Sequence, residues 1–330
     1  MGPRVRELTF SEAALEGLSE EMAADPTIFV VGQGIGPRGG NFKTTTGLHA
    51  LYGDMRLRDV GIYERGFTGM CAGAAMTGSR PLIDYMFLDF GLDAMGEMLN
   101  QIAKIQYMSS GRLKMPIVLR GCIGLGGSAA THHSGNYFPF FVNHPGFRVA
   151  LPTTPADAKG LLKTAIRSDD PVLFLEHKSL LSTVGAVPDN GEAIPFGKAT
   201  VRTEGADATV VALTAMVQRC VDVRQSLAAD GIAIEVIDPR TVAPLDMETI
   251  LSSVDKTGHL LIVDESFGPC GVGAEIATRV VEQAFGSLKA PVKRLNGAHV
   301  PMPYSAPLES AAIPQQEQIA AAVRALLVAS

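Results

Sequence analysis

The second half of the chain alternates short apolar runs with segments of helical periodicity, and this alternation limits the fold more than any other feature of the sequence. Strands and helices are predicted in turn over residues 208–213, 217–229, 233–237, 247–256, 260–264, 273–285 and 291–295, with a last helix over 315–327. Strands that alternate with helices form a parallel sheet covered by helices on both faces. We therefore expect an α/β domain here.

The first half shows a similar pattern. Thr9 and Glu12 fit a capping box that opens a helix to residue 24. Further strands are predicted over 27–32, 81–90, 115–120, 147–151 and 171–176, and further helices over 92–108 and 155–167. Periodicity fades between 178 and 205, where proline and glycine mark a linker. We expect two parallel-sheet α/β domains, at 1–185 and 207–330, joined by a linker at 186–206.

Charge and cysteine content exclude several classes of protein. The 330 residues carry a net charge of −6 without a basic run, which argues against binding to nucleic acid or to an anionic membrane. The charged start lacks an apolar signal segment, and no run of about 18 apolar residues occurs. The four cysteines form no C-x-x-C pair and are expected to be reduced core residues. We expect a cytoplasmic protein.

A glycine-rich loop follows the first predicted apolar strand. Gly34 to Gly39 matches the G-x-G-x-x-G pattern of dinucleotide-binding proteins. However, Pro37 removes an amide that a pyrophosphate would need, and the chain continues as a loop instead of opening a helix. The sequence therefore disfavours a dinucleotide site at this loop.

A helix rich in small residues is predicted to begin at Glu64. It contains four glycines, at 66, 69, 73 and 78, and each glycine inside a helix costs about 1 kcal/mol relative to alanine. Close approach of another helix, another subunit or a flat ligand would explain that cost. Glu64, at the edge of such a dry surface, could share a proton with a ligand nitrogen. The alternative is an ordinary first-turn carboxylate favoured by the helix dipole.

Two adjacent histidines, His132 and His133, lie on a second glycine-rich loop after the predicted strand at 115–120. The carboxyl ends of parallel strands are where α/β sheets bind ligands. A hydrogen-bonded structural histidine is the alternative, and no third ligand follows at a spacing typical of zinc sites.

These features occur in order along nearly the whole chain, and together they resemble the β subunit of the thiamine-diphosphate-dependent first component of 2-oxo acid dehydrogenase complexes. That family includes the pyruvate, branched-chain and acetoin dehydrogenase β subunits. The similar stretches are 62–90, 116–121, 133–134, 157–161, 165–167, 238–246 and 301–308. The resemblance implies a transketolase-like pyrimidine-binding domain followed by a transketolase C-terminal domain. It also implies decarboxylation or cleavage of a 2-oxo acid or acetoin-like substrate, with acyl transfer to a lipoyl carrier.

The resemblance also implies roles for individual residues. Glu64 matches the glutamate that hydrogen-bonds a ring nitrogen of the cofactor's aminopyrimidine. Phe90 matches the aromatic residue that packs on the pyrimidine, and Met86 lies four residues earlier on the same side of the predicted strand. His133 matches the active-site histidine, which stabilises an oxyanion or protonates the lipoyl dithiolane.

Some family members bind a potassium ion through backbone carbonyls and a carboxylate. The matching positions here are Ile117, Ala165, Ile166 and Asp170, although Ser168 stands where an aspartate is usual. Two further departures are Gln33, in place of an acidic residue, and Gly135, in place of a glutamine.

The family's G-D-G segment, which binds the diphosphate through Mg²⁺, does not occur in this sequence. The resemblance therefore implies an α subunit that holds the diphosphate and Mg²⁺, in an α₂β₂ heterotetramer with the active site at the α/β interface. It further implies a lipoyl-bearing acyltransferase partner. The alternative function is the pyrimidine-binding half of a split transketolase-type enzyme. A non-catalytic scaffold subunit is disfavoured by Glu64 and His133.

Overall fold

The computed structural model describes residues 4–189 and 191–328, and the chain divides into two compact units. The first comprises Met1–Ile123 and Phe140–Phe196, and the second comprises Gly124–Pro139 and Gly197–Ser330. The segment Gly124–Pro139, which carries both adjacent histidines, thus belongs to the second unit. The linear boundaries predicted from sequence do not contain this excursion, because no change in local periodicity marks it.

The first unit is built on a parallel sheet. Its strands are β1 (Val5–Thr9), β2 (Ile28–Gly32), β3 (Leu57–Asp59), β4 (Arg80–Phe87), β5 (Val118–Ile123), β6 (Arg148–Ala150), β7 (Val172–His177) and β8 (Val184–Pro188). The parallel neighbours run in the order β6-β7-β5-β4-β2-β3. Every residue of β5 and β7 is buried, as expected for central strands of a sheet covered on both faces. A separate antiparallel pair joins β1 to β8.

Three helices of this part of the chain, those that begin at Phe10, Glu64 and Pro155, start where the sequence predicted. The helices here are α1 (Phe10–Ala24), α2 (Leu48–Arg56), α3 (Glu64–Met76), α4 (Leu88–Gly91), α5 (Ile105–Met108), α6 (Phe138–Val142) and α7 (Pro155–Arg167). The capping box is confirmed, since the Thr9 hydroxyl accepts the Glu12 N–H at 3.2 Å and the Glu12 carboxylate accepts the Thr9 N–H at 2.8 Å. Thr154 caps α7, whose predicted bounds are also confirmed.

Two predicted elements near the site are wrong. The strand predicted over 81–90 ends at Phe87, because the β4–β5 register shifts between Asp84 and Phe87 and Met86 adopts a φ of +67°. Phe90 therefore lies in α4, and it does not share a strand face with Met86. The helix predicted over 92–108 is broken into a 3₁₀ turn, a π-helical segment at Glu97–Ile102 and α5.

The second unit contains another α/β sheet. The strands of the second unit are β9 (Thr200–Thr203), β10 (Ala208–Ala212), β11 (Ile234–Asp238), β12 (Thr241–Ala243), β13 (Leu260–Phe267) and β14 (Lys293–Gly297). All of them except β12 belong to this sheet. The helices of the second unit are α8 (Met216–Ala228), α9 (Met247–Thr257), α10 (Val272–Ala284), α11 (Ala306–Ala311) and α12 (Gln316–Val328). The sheet order is β14-β13-β10-β11-β9. Its edge strand β9 is antiparallel to β11 and lies in the predicted linker, so this sheet is mixed.

Local chemistry explains the limits of these helices. The Asp246 carboxylate accepts the Thr249 N–H at 3.2 Å and caps the start of α9. Gly258 follows the last residue of α9 as its C-cap, with a φ of +77°. Glycine is the residue that adopts this left-handed conformation at least cost.

Cys71, Cys122 and Cys220 are buried free thiols, whereas Cys270 is exposed and is not the core residue that was expected. No helix among the described residues is long and apolar enough to cross a membrane.

Candidate active site

Glu64 is the first residue of α3, and its side chain is buried, with 7 % of the residue exposed. The Gln33 amide donates to its carboxylate, with 3.0 Å between Nε2 and Oε1. Gln33 directly follows β2, which pairs in parallel with β4. Glu64 is therefore tied to the carboxyl edge of the sheet, where α/β proteins bind ligands. The N–H groups at the start of α3 favour a negative charge at this position.

Tyr85 and Cys71, two buried groups beside the first turns of α3, are neutral near pH 7. The Tyr85 hydroxyl lies 2.7 Å from the Thr68 hydroxyl in a buried hydrogen bond. Burial raises the pKa of Tyr85 well above its usual range, and burial raises the pKa of Cys71 to about 12. The buried surface of α3 next to Glu64 thus provides little competing charge.

The glycines of α3 serve different purposes. A Cβ at Gly66 would lie 2.0 Å from the Tyr63 ring, so the position must stay small for that ring to pack there. At Gly73, nothing in the described part of the chain comes within 4 Å of an added Cβ. Gly78, predicted inside the helix, lies beyond its end with a φ of +98°. Contact of another polypeptide with the open glycine surface therefore stays a prediction.

Met86 is held in a strained backbone conformation by the side chain of Asp84. Asp84 Oδ1 accepts the Met86 N–H at 2.8 Å, and the Thr44 hydroxyl donates to Asp84 Oδ2 at 3.3 Å. The Asn41 amide contacts the Met86 sulfur. A positive φ at a residue other than glycine costs about 1–2 kcal/mol and is typical of functional sites.

Phe90 belongs to a cluster of aromatic rings. The Phe42 and Phe87 ring centroids are 5.3 Å apart, and those of Phe87 and Phe90 are 6.0 Å apart, both in edge-to-face geometry. Edge-to-face pairs hold each other in fixed orientations. The structure therefore places Glu64, Met86 and Phe90 in the same unit, at or just beyond the carboxyl ends of β2 and β4.

His133 belongs to the second unit, where it ends a 3₁₀ turn over Thr131–His133. Its side chain is half-buried, whereas that of His132 is exposed. Of the two adjacent histidines, His133 is thus the one that the fold encloses.

The four predicted potassium ligands lie near the amino ends of β5 and β7, away from Glu64. The carbonyls of Ile117, Ala165 and Ile166 each accept a hydrogen bond, from Val172, Ser168 and Arg80 respectively. The Asp170 carboxylate pairs with the Arg148 guanidinium at 2.6 Å. Each carbonyl keeps a second lone pair for an ion. The fit is partial, because two guanidinium groups already bind these oxygens.

The loop with the dinucleotide-like pattern is organised around a carboxylate of the protein itself. Asp59 Oδ1 accepts the Gly34 N–H at 2.8 Å, and Oδ2 accepts the Gly36 N–H at 3.2 Å. The next helix, α2, begins only at Leu48. These amides are occupied by Asp59, so they are not free to bind a pyrophosphate.

Sequence reasoning missed two contributors to the site. Gln33 was predicted to lie close to the cofactor pocket, as a departure from the family pattern, but its hydrogen bond to the Glu64 carboxylate was not predicted. Its place directly after an apolar strand was the signal that could have identified it. Asp84, which fixes Met86, gave no signal, because its role depends on a bulge that local periodicity does not show.

Two family profiles match successive parts of the chain. The family profile described as "Transketolase, pyrimidine binding domain" matches residues 6–183, and the one described as "Transketolase, C-terminal domain" matches residues 197–319. The β subunit of acetoin:2,6-dichlorophenolindophenol oxidoreductase from Cupriavidus necator is 41% identical over 329 residues, which covers 97% of each chain. The mitochondrial pyruvate dehydrogenase E1 component subunit beta-2 of Oryza sativa subsp. japonica is 42% identical, covering 97% of this chain and 86% of that protein.

The chain belongs to the family of E1 β subunits of pyruvate and acetoin dehydrogenases, which are oxidoreductases with transketolase-like domains. A solved structure described as "Split gene transketolase, inactive beta4 tetramer" has a TM-score of 0.79 and 24% identity, covering 98% of this chain and 99% of that chain. At that identity the similarity shows the shared fold alone.

Proposed function

We propose that this chain is the β subunit of a thiamine-diphosphate-dependent 2-oxo acid or acetoin dehydrogenase first component and acts in an α₂β₂ heterotetramer. The enzyme decarboxylates or cleaves its substrate and transfers the acyl group to a lipoyl-bearing acyltransferase component. The observation that carries this proposal is the buried Glu64 carboxylate, which begins α3 and is bound by Gln33 at the carboxyl edge of the sheet. The relatives named above are likewise β subunits of oxidoreductases.

Three residues of the first unit would hold the aminopyrimidine of the cofactor. The carboxyl group of Glu64 would hydrogen-bond a ring nitrogen and exchange a proton with it, as general acid–base catalysis requires. The Met86 thioether and the Phe90 ring would pack on the flat heterocycle, a contact suited to a polarizable sulfur and to an aromatic face. Thiamine diphosphate, when bound, supplies a nucleophilic ring carbon that protein side chains lack.

His133 is the proposed acid–base group for acyl transfer. An imidazole changes its charge near neutral pH, so it can donate a proton to the lipoyl sulfur or stabilise a developing oxyanion. Its half-buried place on the loop limits its contact with water.

The diphosphate and its Mg²⁺ are proposed to rest mainly on the α subunit. A diphosphate with Mg²⁺ needs carboxylate and amide oxygens, and a helix N-terminus stabilises its charge. The nearest match to the missing G-D-G segment is Gly53-Asp54-Met55, but the Asp54 carboxylate lies 2.6 Å from the His49 ring. The α subunit must therefore supply this part of the site.

A potassium ion at Ile117, Ala165, Ile166 and Asp170 is a further part of the proposal. We expect weak binding, because the cations Arg80 and Arg148 contact two of these residues. Replacing potassium by choline at constant ionic strength tests the site, and identical melting temperatures in the two salts would contradict it.

The cytoplasm is the proposed location, and the three buried free thiols suit a reducing compartment.

The decisive experiment is reconstitution with an α chain. The purified complex should oxidise a 2-oxo acid or acetoin in the presence of thiamine diphosphate, Mg²⁺ and a lipoyl or dye acceptor. Ketol transfer between sugar phosphates should be absent. The opposite pattern would establish the split-transketolase alternative.

A further inference from the structure

The loop that carries His133 has an unusual backbone. It runs from Gly124 to Gly135, and its ends are joined by a hydrogen bond from the Gly124 N–H to the Gly135 carbonyl at 3.3 Å. Ser128 and Ala130 adopt φ angles of +52° and +59°, although neither is glycine. Residues with side chains keep this left-handed conformation only where surrounding contacts enforce it. Something outside the loop must therefore hold its shape.

The carboxylate of Glu309 provides one such contact. Glu309 lies in α11 and is buried, with only 5 % exposed. Its Oε1 accepts the Gly126 N–H at 2.8 Å, and its Oε2 accepts the Ser128 N–H at 3.1 Å. Two amides that flank a residue of positive φ, here Gly127 at +75°, form a concave donor site for an anion. The side-chain oxygens of Glu309 fill this site.

Two further contacts tie the loop to the same unit. Oε1 of Glu265, a residue 3 % exposed, accepts the Leu125 N–H at 3.3 Å. On the other side of the Glu309 contact, the Thr131 hydroxyl donates to the Met302 carbonyl at 2.9 Å. Glu309 therefore binds the middle of a loop that is also fixed before and after it. Thr131 is only two residues from His133, so the loop shape sets where the imidazole lies.

We propose that Glu309 is a positioning residue for His133, acting through the amides of Gly126 and Ser128. This inference rests on the proposed function, in which His133 takes part in acyl transfer. Because a displacement of about 1 Å can cost roughly 100-fold in rate, a loosened loop lowers the rate of acyl transfer. Binding of the 2-oxo acid is not affected, because Glu309 is not proposed to touch substrate.

The test uses the reconstituted α/β complex with Glu309→Gln. This change keeps the side-chain shape, but it replaces one of the two acceptors by an N–H group and removes the charge. Losing a charge-assisted hydrogen bond should lower kcat for lipoyl acylation by about 10- to 100-fold. KM for the 2-oxo acid should stay within about threefold, and hydrogen exchange over 124–135 should become faster. Glu309→Asp, which retains the charge, should recover part of kcat.

Glu317→Gln is the matched control, because Glu317 is exposed in the first turn of α12. It should leave kcat and loop exchange unchanged. In a His133→Ala background, Glu309→Gln should cause no further loss of acylation, since both changes remove the same contribution. If the two losses multiply, or if loop exchange and kcat are unchanged in Glu309→Gln, the positioning role is wrong. If His133→Ala itself leaves acylation normal, the proposed role of His133 fails, and the positioning role fails with it.

Discussion

Replacing Glu64 by glutamine should separate its chemical role from its structural role. The substitution keeps the size of the side chain, and the new amide oxygen can still accept from the Gln33 amide, now 3.0 Å from Oε1. A neutral acceptor in place of a charged one loses about 1 kcal/mol, and loss of the helix-dipole interaction removes at most about 1 kcal/mol more. The uncharged amide is cheaper to bury than a carboxylate, and this offsets part of the lost stability. The net change in unfolding free energy should therefore be within about 1 kcal/mol.

Such a loss cannot unfold the chain, because natural domains have about 5–15 kcal/mol of stability. Turnover should fall far more, since the amide cannot exchange a proton with the ring nitrogen. One general acid–base group contributes about 10²–10⁴ in rate, so we expect a loss of at least ~100-fold, or about 2.7 kcal/mol in activation free energy.

The measurement compares turnover and thermal unfolding of the purified α/β complex before and after Glu64→Gln. Glu12→Gln is the matched control, because glutamine also serves at this position of a capping box. Turnover near normal in the Glu64→Gln complex would refute the assignment. A collapse of the melting temperature together with turnover would show that Glu64 is chiefly structural.

Three further predictions follow from the same site and fold. His133→Ala should lower lipoyl acylation by about 10²-fold or more while cofactor affinity, measured by titration, changes little; equal losses in both would contradict its role. The isolated chain should show no saturable calorimetric binding of thiamine diphosphate and Mg²⁺ below millimolar, and the α chain should restore binding; micromolar binding by this chain alone would mean that it holds its own diphosphate site. Burial raises the pKa of Asp264 to about 6, so the folded state favours its protonated form, and the contribution of Asp264 to stability should fall by roughly 3 kcal/mol as pH rises from about 4 to 6. Carboxyls whose pKa is lowered, such as Glu16 and Asp246, contribute in the opposite direction. Asp264→Asn should remove the contribution of Asp264 and make the slope of the stability–pH curve, measured by chemical denaturation, more positive over this range; an unchanged slope would contradict the prediction.

The elements that the sequence predicted best carry their own boundary signals. α7 begins after Thr154 with a proline in its first turn and ends at Arg167, as its cap residue and apolar spacing indicated. The buried central strands β5 and β7 were visible as apolar runs at 115–120 and 171–176, although β5 begins only at Val118. The buried ion pair between Arg120 and Glu176 on these strands was not predicted.

The parts that the sequence did not predict depend on contacts between distant residues. β4 ends at Phe87, because the Asp84 carboxylate accepts a hydrogen bond from the Met86 N–H. The register between β4 and β5 shifts at the same place. The excursion of Gly124–Pro139 into the second unit depends on contacts such as Glu309 with Gly126, residues that are 183 positions apart. No local pattern encodes contacts at such separations. For the site, the position of Glu64 was readable from sequence, whereas its hydrogen-bond partner was not.

The contact between Gln33 and Glu64 gives a physical meaning to a departure from the family pattern. Gln33 stands at the position where the resemblance described above implies an acidic residue. Two carboxyl groups at hydrogen-bond distance must share a proton, because two like charges so close together cannot both be ionised at little cost. The Gln33 amide instead donates to one oxygen of Glu64 without adding a charge, at 3.0 Å. Within residues 4–189 and 191–328, no hydrogen bond reaches the other carboxylate oxygen, so Gln33 preserves the acceptor that the proposed role of Glu64 requires.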